Sequence, residues 1–207
     1  MNKTKLYYNK PIYLGMTILD LSKVIMYDFY YNYIKDKYKN NVKLLYTDTD
    51  SLILHIKTED FYKDITPDVK NRFDTSNYPE NHPSGIPTGI NKKVVGMFKD
   101  EAAGKQIEEF VGLRAKSYSY KLSDEEHKKC KGIKKNVVKN KISHEDYKKC
   151  LFSKEKQYRK MNVIRSRKHE IYSEEINKVA LSAEDDKRII LSDGISTLAH
   201  GFQGLMP

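Results

Sequence analysis

Leu44-Leu45-Tyr46-Thr47-Asp48-Thr49-Asp50-Ser51-Leu52-Ile53-Leu54 decides how the chain is read. Two aspartates stand one residue apart inside an otherwise apolar, strand-prone run. An ionised carboxylate is costly to bury unless something pairs with it. Apolar surface on both sides of Asp-Thr-Asp therefore points to carboxylates presented to a cation. Their oxygens are hard ligands that suit Mg²⁺, which keeps several waters and is commonly shared with substrate phosphates. Asp and Thr tolerate tight turns. The run thus predicts a β-hairpin, Leu44 to Thr47 against Leu52 to Ile56, with the acids at its tip. The simpler alternative is a hairpin in which Asp48 only caps its own turn.

Tyr46-Thr47-Asp48-Thr49-Asp50-Ser51 resembles the YxDTDS palm motif of family B DNA polymerases. The resemblance implies that Asp50 is a ligand of the catalytic Mg²⁺ and that Asp48 supports or joins it. It also implies dNTP and primer-template DNA as partners. A competing motif is the DxD nucleophile strand of haloacid-dehalogenase-like phosphatases. There the strand stops at the acids and a loop and helix follow. Here Leu52-Ile53-Leu54-His55-Ile56 continues as strand, and Leu52 stands where those enzymes use Thr or Val.

Upstream, Pro11 and Gly15 punctuate the entry. Thr17 and Asp20 form a candidate capping pair. Ile18, Leu21, Ile25 and Phe29 follow at helical spacing, so Thr17 to about Lys37 is predicted as an amphipathic helix. The resemblance places such a helix under the palm sheet. Downstream, the prolines and glycines of His82 to Ile90 predict a loop. Phe73 to Tyr78 suggests local side-chain-to-backbone turns. Lys92 to Glu101 is predicted as a strand returning to the sheet. Gly104-Lys105 is read as a turn, and Ile107 to Tyr120 as renewed strand.

Lys116-Ser117-Tyr118 matches a second motif of the same family, KxY, at the end of the palm. On one strand Lys116 and Tyr118 would face one side. The ammonium would meet a phosphate and the phenol a sugar or phosphate oxygen. Arg114 is a further candidate phosphate contact; the alternative is a solvated surface Arg.

Composition shifts near Ser123. Lys128-Lys129-Cys130-Lys131-Gly132-Ile133-Lys134-Lys135 opens a strongly basic stretch. Ser143 is read as the cap of a helix over Glu145 to about Phe152, and Ala180 to Arg188 as another short capped helix. The resemblance makes this region the thumb, with Lys131, Lys134 and Lys135 as DNA contacts. Charge runs are often only solvated faces. Against that, the 207-residue chain carries a net charge of +10, which favours an anionic partner, nucleic acid first. The two cysteines, Cys130 and Cys150, have no metal-binding spacing and suit a reduced compartment. No signal peptide or membrane span is legible, so an intracellular chain without membrane contact is expected.

The fold class expected is α+β: a partial polymerase palm, an antiparallel sheet with a packed helix, followed by a small, mostly helical thumb. Residues 1–122 would be the C-terminal part of the palm and 123–207 the basic thumb-like region and tail. Two-metal nucleotidyl transfer needs another acid. The family's DxxSLYP-type and KxxxNSxYG-type motifs do not occur in this sequence. The expectation is a polymerase portion that is inactive alone, completed by a missing N-terminal portion and, in the protein-primed branch, by a terminal protein. Two other readings stay open: a non-catalytic nucleic-acid-binding remnant of a viral or mobile element, and the phosphatase.

Overall fold

The computed structural model describes residues 5, 7, 9–184, 188–194 and 196–199. The chain divides into two compact units, Met1–Gln106 and Ile107–Pro207. The division falls before Lys116 and Tyr118, not at the composition shift near Ser123. Both units mix short helices with small sheets, so the molecule is α+β.

In the first unit, helix α1 (Ile12–Tyr27) runs on through π-helical turns (Asp28–Ile34) into α2 (Lys35–Tyr38). The predicted helix thus starts earlier than Thr17. Pro11 occupies the N-cap position, and the first turn does not need the N–H that proline lacks. Thr17 lies inside the helix and its hydroxyl donates to the Tyr13 carbonyl at 3.0 Å, so Thr17 and Asp20 form no cap.

Strands β1 (Val42–Asp48) and β2 (Ser51–Ile56) then form an antiparallel hairpin, as the apolar run predicts. Short helices α3 (Phe61–Ile65) and α4 (Val69–Arg72) follow. The first is capped by Asp60, whose carboxylate accepts from the backbone of Tyr62 and Lys63 at 3.0 and 3.1 Å. Two-residue strands β3 (Phe73–Asp74) and β4 (Phe98–Lys99) pair in parallel. The return strand expected over Lys92 to Glu101 is confined to β4. Asn91, Lys93 and Gly96 all have positive φ. The Asn91 amide is also tied to the carbonyls of Val69, Lys70 and Phe73, which bends the chain instead of extending it.

One core holds this unit together. Phe29, Tyr33, Ile34, Tyr38, Ile65 and Val69 are buried, and Leu52, Leu54 and Ile56 of the hairpin pack against them. Phe29 stacks on Phe98 with centroids 3.6 Å apart.

The second unit opens with the antiparallel sheet β5 (Glu109–Arg114), β6 (Ser117–Lys121) and β7 (Glu126–Cys130). Helix α5 (Lys135–Lys141) and helix α6 (His144–Ser153) follow. Ser143 caps α6 in a reciprocal box with Asp146, as the sequence predicts. His144 is buried between Ser119 (2.8 Å) and Glu109 (3.1 Å), which fastens the start of α6 to the sheet. Ser119 is itself fully buried, so this trio braces the fold and offers no nucleophile to a substrate.

The remainder is not mostly helical. Strands β8 (Gln157–Arg167) and β9 (Glu170–Leu181) form one long antiparallel ribbon, and β10 (Arg188–Ile190) pairs with β11 (Thr197–Ala199). Period-two alternation explains the ribbon: Met161, Val163 and Ile176 face the core while their neighbours face water. Lys168 and His169 both have positive φ, as a two-residue type I′ loop requires. Ala180 and Leu181 end β9, and Ser182 to Glu184 form no helix, so the start of the expected capped helix is strand; residues 185–187 lie outside the described residues. No helix among the described residues is long and apolar enough to cross a membrane.

Candidate functional site

The hairpin places its acids through two local irregularities. Strand pairing runs in simple register from Val42↔Ile56 to Leu44↔Leu54, then shifts between Leu44 and Tyr46. Leu45 is the extra residue. A bulge of this kind reverses which side the following residues face. Beyond it Thr47, itself exposed, pairs with Leu52, whose side chain packs on the core. Tyr46 and Asp48 pair with Ile53 and Ser51 on the opposite, outer face. Without the extra residue, Asp48 would fall on the side of Leu52.

The second irregularity is the turn. The Asp50 N–H donates to the Asp48 carbonyl at 2.6 Å, across Thr49 with φ 58°. That is a γ-turn with a positive central φ, a rare and strained form. A β-branched residue there is an outlier. The Thr49 hydroxyl donates to the Asp48 carboxylate at 3.3 Å, and the Ser51 hydroxyl to the Asp48 carbonyl at 3.2 Å. Asp48 is half-buried and Asp50 is exposed.

The donor chemistry fits a magnesium ion. Mg²⁺ is typically bound through one or two carboxylates, with water and substrate phosphates completing its shell. Asp48 and Asp50 would be the protein ligands. No group of three or more His, Cys, Asp or Glu that could hold a metal occurs among the described residues. The antiparallel continuation into β2 departs from the strand-loop-helix that the phosphatase motif requires.

Arg114, Lys116 and Tyr118 lie in the second unit. Lys116 and Tyr118 do not share a strand. Arg114 pairs with Ser117, so Ala115 and Lys116 form the reversal between β5 and β6, and Lys116 has φ 59°. The strand expected from Ile107 to Tyr120 breaks there because β5 and β6 fold back on each other. Lys116 is therefore an exposed turn residue, while Tyr118 lies on the sheet. Arg114 is half-buried. Burial raises the Cys130 and Cys150 thiols, and the nearby Arg114 charge works against that rise. Arg114 thus stands close to the core and is more than a solvated surface arginine.

The three lysines assigned to the basic stretch cluster beyond β7. The Lys131 N–H donates to the Lys116 carbonyl at 2.9 Å, which sets the two residues side by side at the sheet edge. Lys134 precedes α5 and Lys135 begins it; both are exposed. Lys178 of the ribbon joins them, its ammonium donating to the Gly132 carbonyl at 3.2 Å. Lys178 is far from the others in sequence, so no local pattern signals it.

Tyr118 also has neighbours that spacing could have revealed. Tyr120 and His127 stack at 4.6 Å, and Tyr118 and Tyr120 lie nearly parallel at 6.4 Å. Tyr120 follows from Tyr118 by strand alternation. His127 depends on the cross-strand register with Tyr120.

Family models, curated proteins and solved structures were all searched, and none matches this chain.

Proposed function

We propose that this chain is a C-terminal palm-and-thumb portion of a type B DNA polymerase, contributing metal-binding carboxylates and primer-strand contacts to template-directed nucleotidyl transfer. One observation carries the proposal. Within the stretch that resembles YxDTDS, a bulge and a strained γ-turn turn Asp48 and Asp50 away from the core. Positive φ is what any two-residue hairpin loop needs, so the weight rests on the bulge, which takes Asp48 off the row of Val42 and Leu44, and on a β-branched Thr49 in a conformation such residues rarely adopt.

Asp50 and Asp48 hold the cation and the triphosphate it carries. The Thr49 hydroxyl fixes the Asp48 carboxylate. When bound, a divalent cation supplies charge stabilisation at the reacting phosphoryl oxygens. Lys116 and Lys131 meet primer phosphates as neighbouring charges, and Tyr118 bonds a sugar or phosphate oxygen. Lys134 and Lys135 extend the grip on the duplex. The resemblance assigns the remaining acid and the nucleotide-binding helix to motifs that this sequence does not contain. The chain by itself therefore binds DNA without extending a primer.

Electron paramagnetic resonance with Mn²⁺ as the probe tests the metal assignment. Adding dNTP is expected to tighten Mn²⁺ binding to the wild-type chain. Asp50→Asn should weaken that binding by about tenfold or more, on the scale of a lost ligand or supporting partner. Equal binding by wild type, Asp50→Asn and Asp48→Asn would overturn the proposal, and primer extension by the purified chain would overturn its incomplete character. The second reading, a non-catalytic basic nucleic-acid-binding module, draws on the lysine cluster around Lys131 and Lys178; it requires DNA binding but no cation at Asp50.

A further inference from the structure

The β8–β9 ribbon has a rooted end and an exposed end. At the root Met161, Ala180 and Leu181 are buried in the core of the second unit. Further out every residue from Ile164 to Ser173 is exposed. Ile164 and Ile171 are 75% and 77% exposed. Ile164 pairs with Ser173 and Ser166 with Ile171, so the two isoleucines are diagonal neighbours on one face. Strands this exposed ordinarily carry polar residues on both faces, and two adjacent β-branched side chains in water ask for a partner.

The same face runs back to the root. Toward the core it presents Asn162 opposite Glu175 and Lys160 opposite Asn177. There it meets helix α5, and the two enclose a cleft of about 210 Å³ whose polar lining is Lys134, Asn136, Asn140, Lys141, Lys160, Asn162 and Glu175. Lys160 is paired with Glu175 at 3.0 Å. Lys134 and Lys141 make no ion pair among the described residues. Ammonium groups beside side-chain amides form a donor-rich cleft that suits a phosphodiester. At the far end Arg167 and Lys168 also make no ion pair among the described residues, and they sit at or beside the turn.

We infer that this ribbon is an arm that enters a groove of double-stranded DNA, with the α5 cleft taking a backbone phosphate, Ile164 and Ile171 packing against the groove, and Arg167 and Lys168 reaching phosphates beyond. Charge complementarity selects the partner: Lys134 and Lys141 stand at the root end of the apolar pair and Lys168 at the turn, while Arg167 reaches out from the opposite face, across from Glu170. Shape selects the duplex. The major groove of B-form DNA, about 12 Å wide, admits a two-stranded ribbon. The A-form RNA groove is too narrow. In the major groove apolar side chains meet the thymine methyl groups. A single strand would call for a row of stacking aromatics. The exposed arm carries Tyr172, on the other face, and His169 in the turn, which make no such row. The inference stands on the second unit and does not need the cation site of the hairpin.

Fluorescence anisotropy of the full chain with a labelled B-form DNA duplex tests it. Arg167→Gln with Lys168→Gln should weaken binding at least tenfold and flatten the log–log salt slope by about 1.8, two phosphates at about 0.9 each. Ile164→Ser with Ile171→Ser should weaken binding about tenfold at an unchanged slope. Circular dichroism should show both proteins folded, because all four side chains are exposed. Asp50→Asn should bind the duplex as wild type does, which separates failure of the arm from failure of the metal site. Wild-type affinity in either double variant would overturn the inference. So would equal affinity for single-stranded DNA or duplex RNA. Loss of self-association in the isoleucine variant, with DNA affinity unmoved, would assign the face to a second copy of the chain and overturn it likewise.

Discussion

Thr49 holds a backbone conformation that β-branched residues rarely adopt, between two acids it helps to orient. Left-handed backbone costs a non-glycine residue about 1–2 kcal/mol, while glycine there loses some of that gain to chain entropy. Thr49→Gly should therefore stabilise the first unit by up to about 1 kcal/mol in urea denaturation. The same change removes the hydroxyl that donates to Asp48, so Mn²⁺·dNTP binding should weaken. A variant that is more stable and binds as well would show the strain to be incidental. At this scale the placing of the acids at a hairpin tip was legible, because Asp and Thr suit a tight turn inside a strand-prone run. Their direction was not. It depends on a one-residue bulge at Leu45, and nothing distinguishes Leu44 from Leu45 in composition. Lys116 shows the same limit: Lys-x-Tyr reads as strand until the cross-strand register puts a turn inside it.

Between elements, the contact with the clearest electrostatic content joins the long N-terminal helix to the turn before α4. The Tyr33 hydroxyl and the Lys37 ammonium both donate to the Asp68 carboxylate, at 2.8 and 2.9 Å. Arg72 lies over the Tyr33 ring at 4.7 Å. Bonding to Lys37, then to Tyr33, holds the Asp68 carboxyl below its ordinary value, against the opposing effect of partial burial. Burial and the Asp68 bond push the Tyr33 phenol well above its ordinary range, so Tyr33 stays a neutral donor. A lowered folded-state value means the stabilisation is complete above the unfolded carboxyl, about pH 3.9. It is lost as pH falls through the lower folded value. Asp68→Asn should cost about 1 kcal/mol near pH 7, given partial exposure and screening. The gap from wild type should close below about pH 4. A gap independent of pH would place the effect in packing instead. Hairpin, helix and the Ser143 cap were legible because each has a local signal. The β8–β9 ribbon was not read, because lysines and arginines along Gln157 to Lys178 mask its alternation as a simple charge run.

On the scale of the whole chain, charge and units fall into a pattern. The hairpin acids belong to the first unit and the clustered lysines and ribbon to the second. Composition announced a basic region but located its start near Ser123, whereas the fold begins the second unit at Ile107. The reason is that β5 pairs with β6 and β6 with the lysine-bearing β7, so the sheet draws weakly charged residues into the basic unit. In the first unit α1 leaves Ile12, Met16, Ile18 and Leu21 largely exposed. The proposed polymerase role turns on a cation at the hairpin, and Fe²⁺ offered in place of Mg²⁺ would report its position directly. With ascorbate and peroxide, bound Fe²⁺ cuts the backbone beside its ligands, and mass spectrometry reads the cut. Cleavage between Tyr46 and Ser51 that excess Mg²⁺ suppresses and Asp50→Asn abolishes is the predicted result. Cleavage elsewhere, or an unchanged cut in Asp50→Asn, would contradict it.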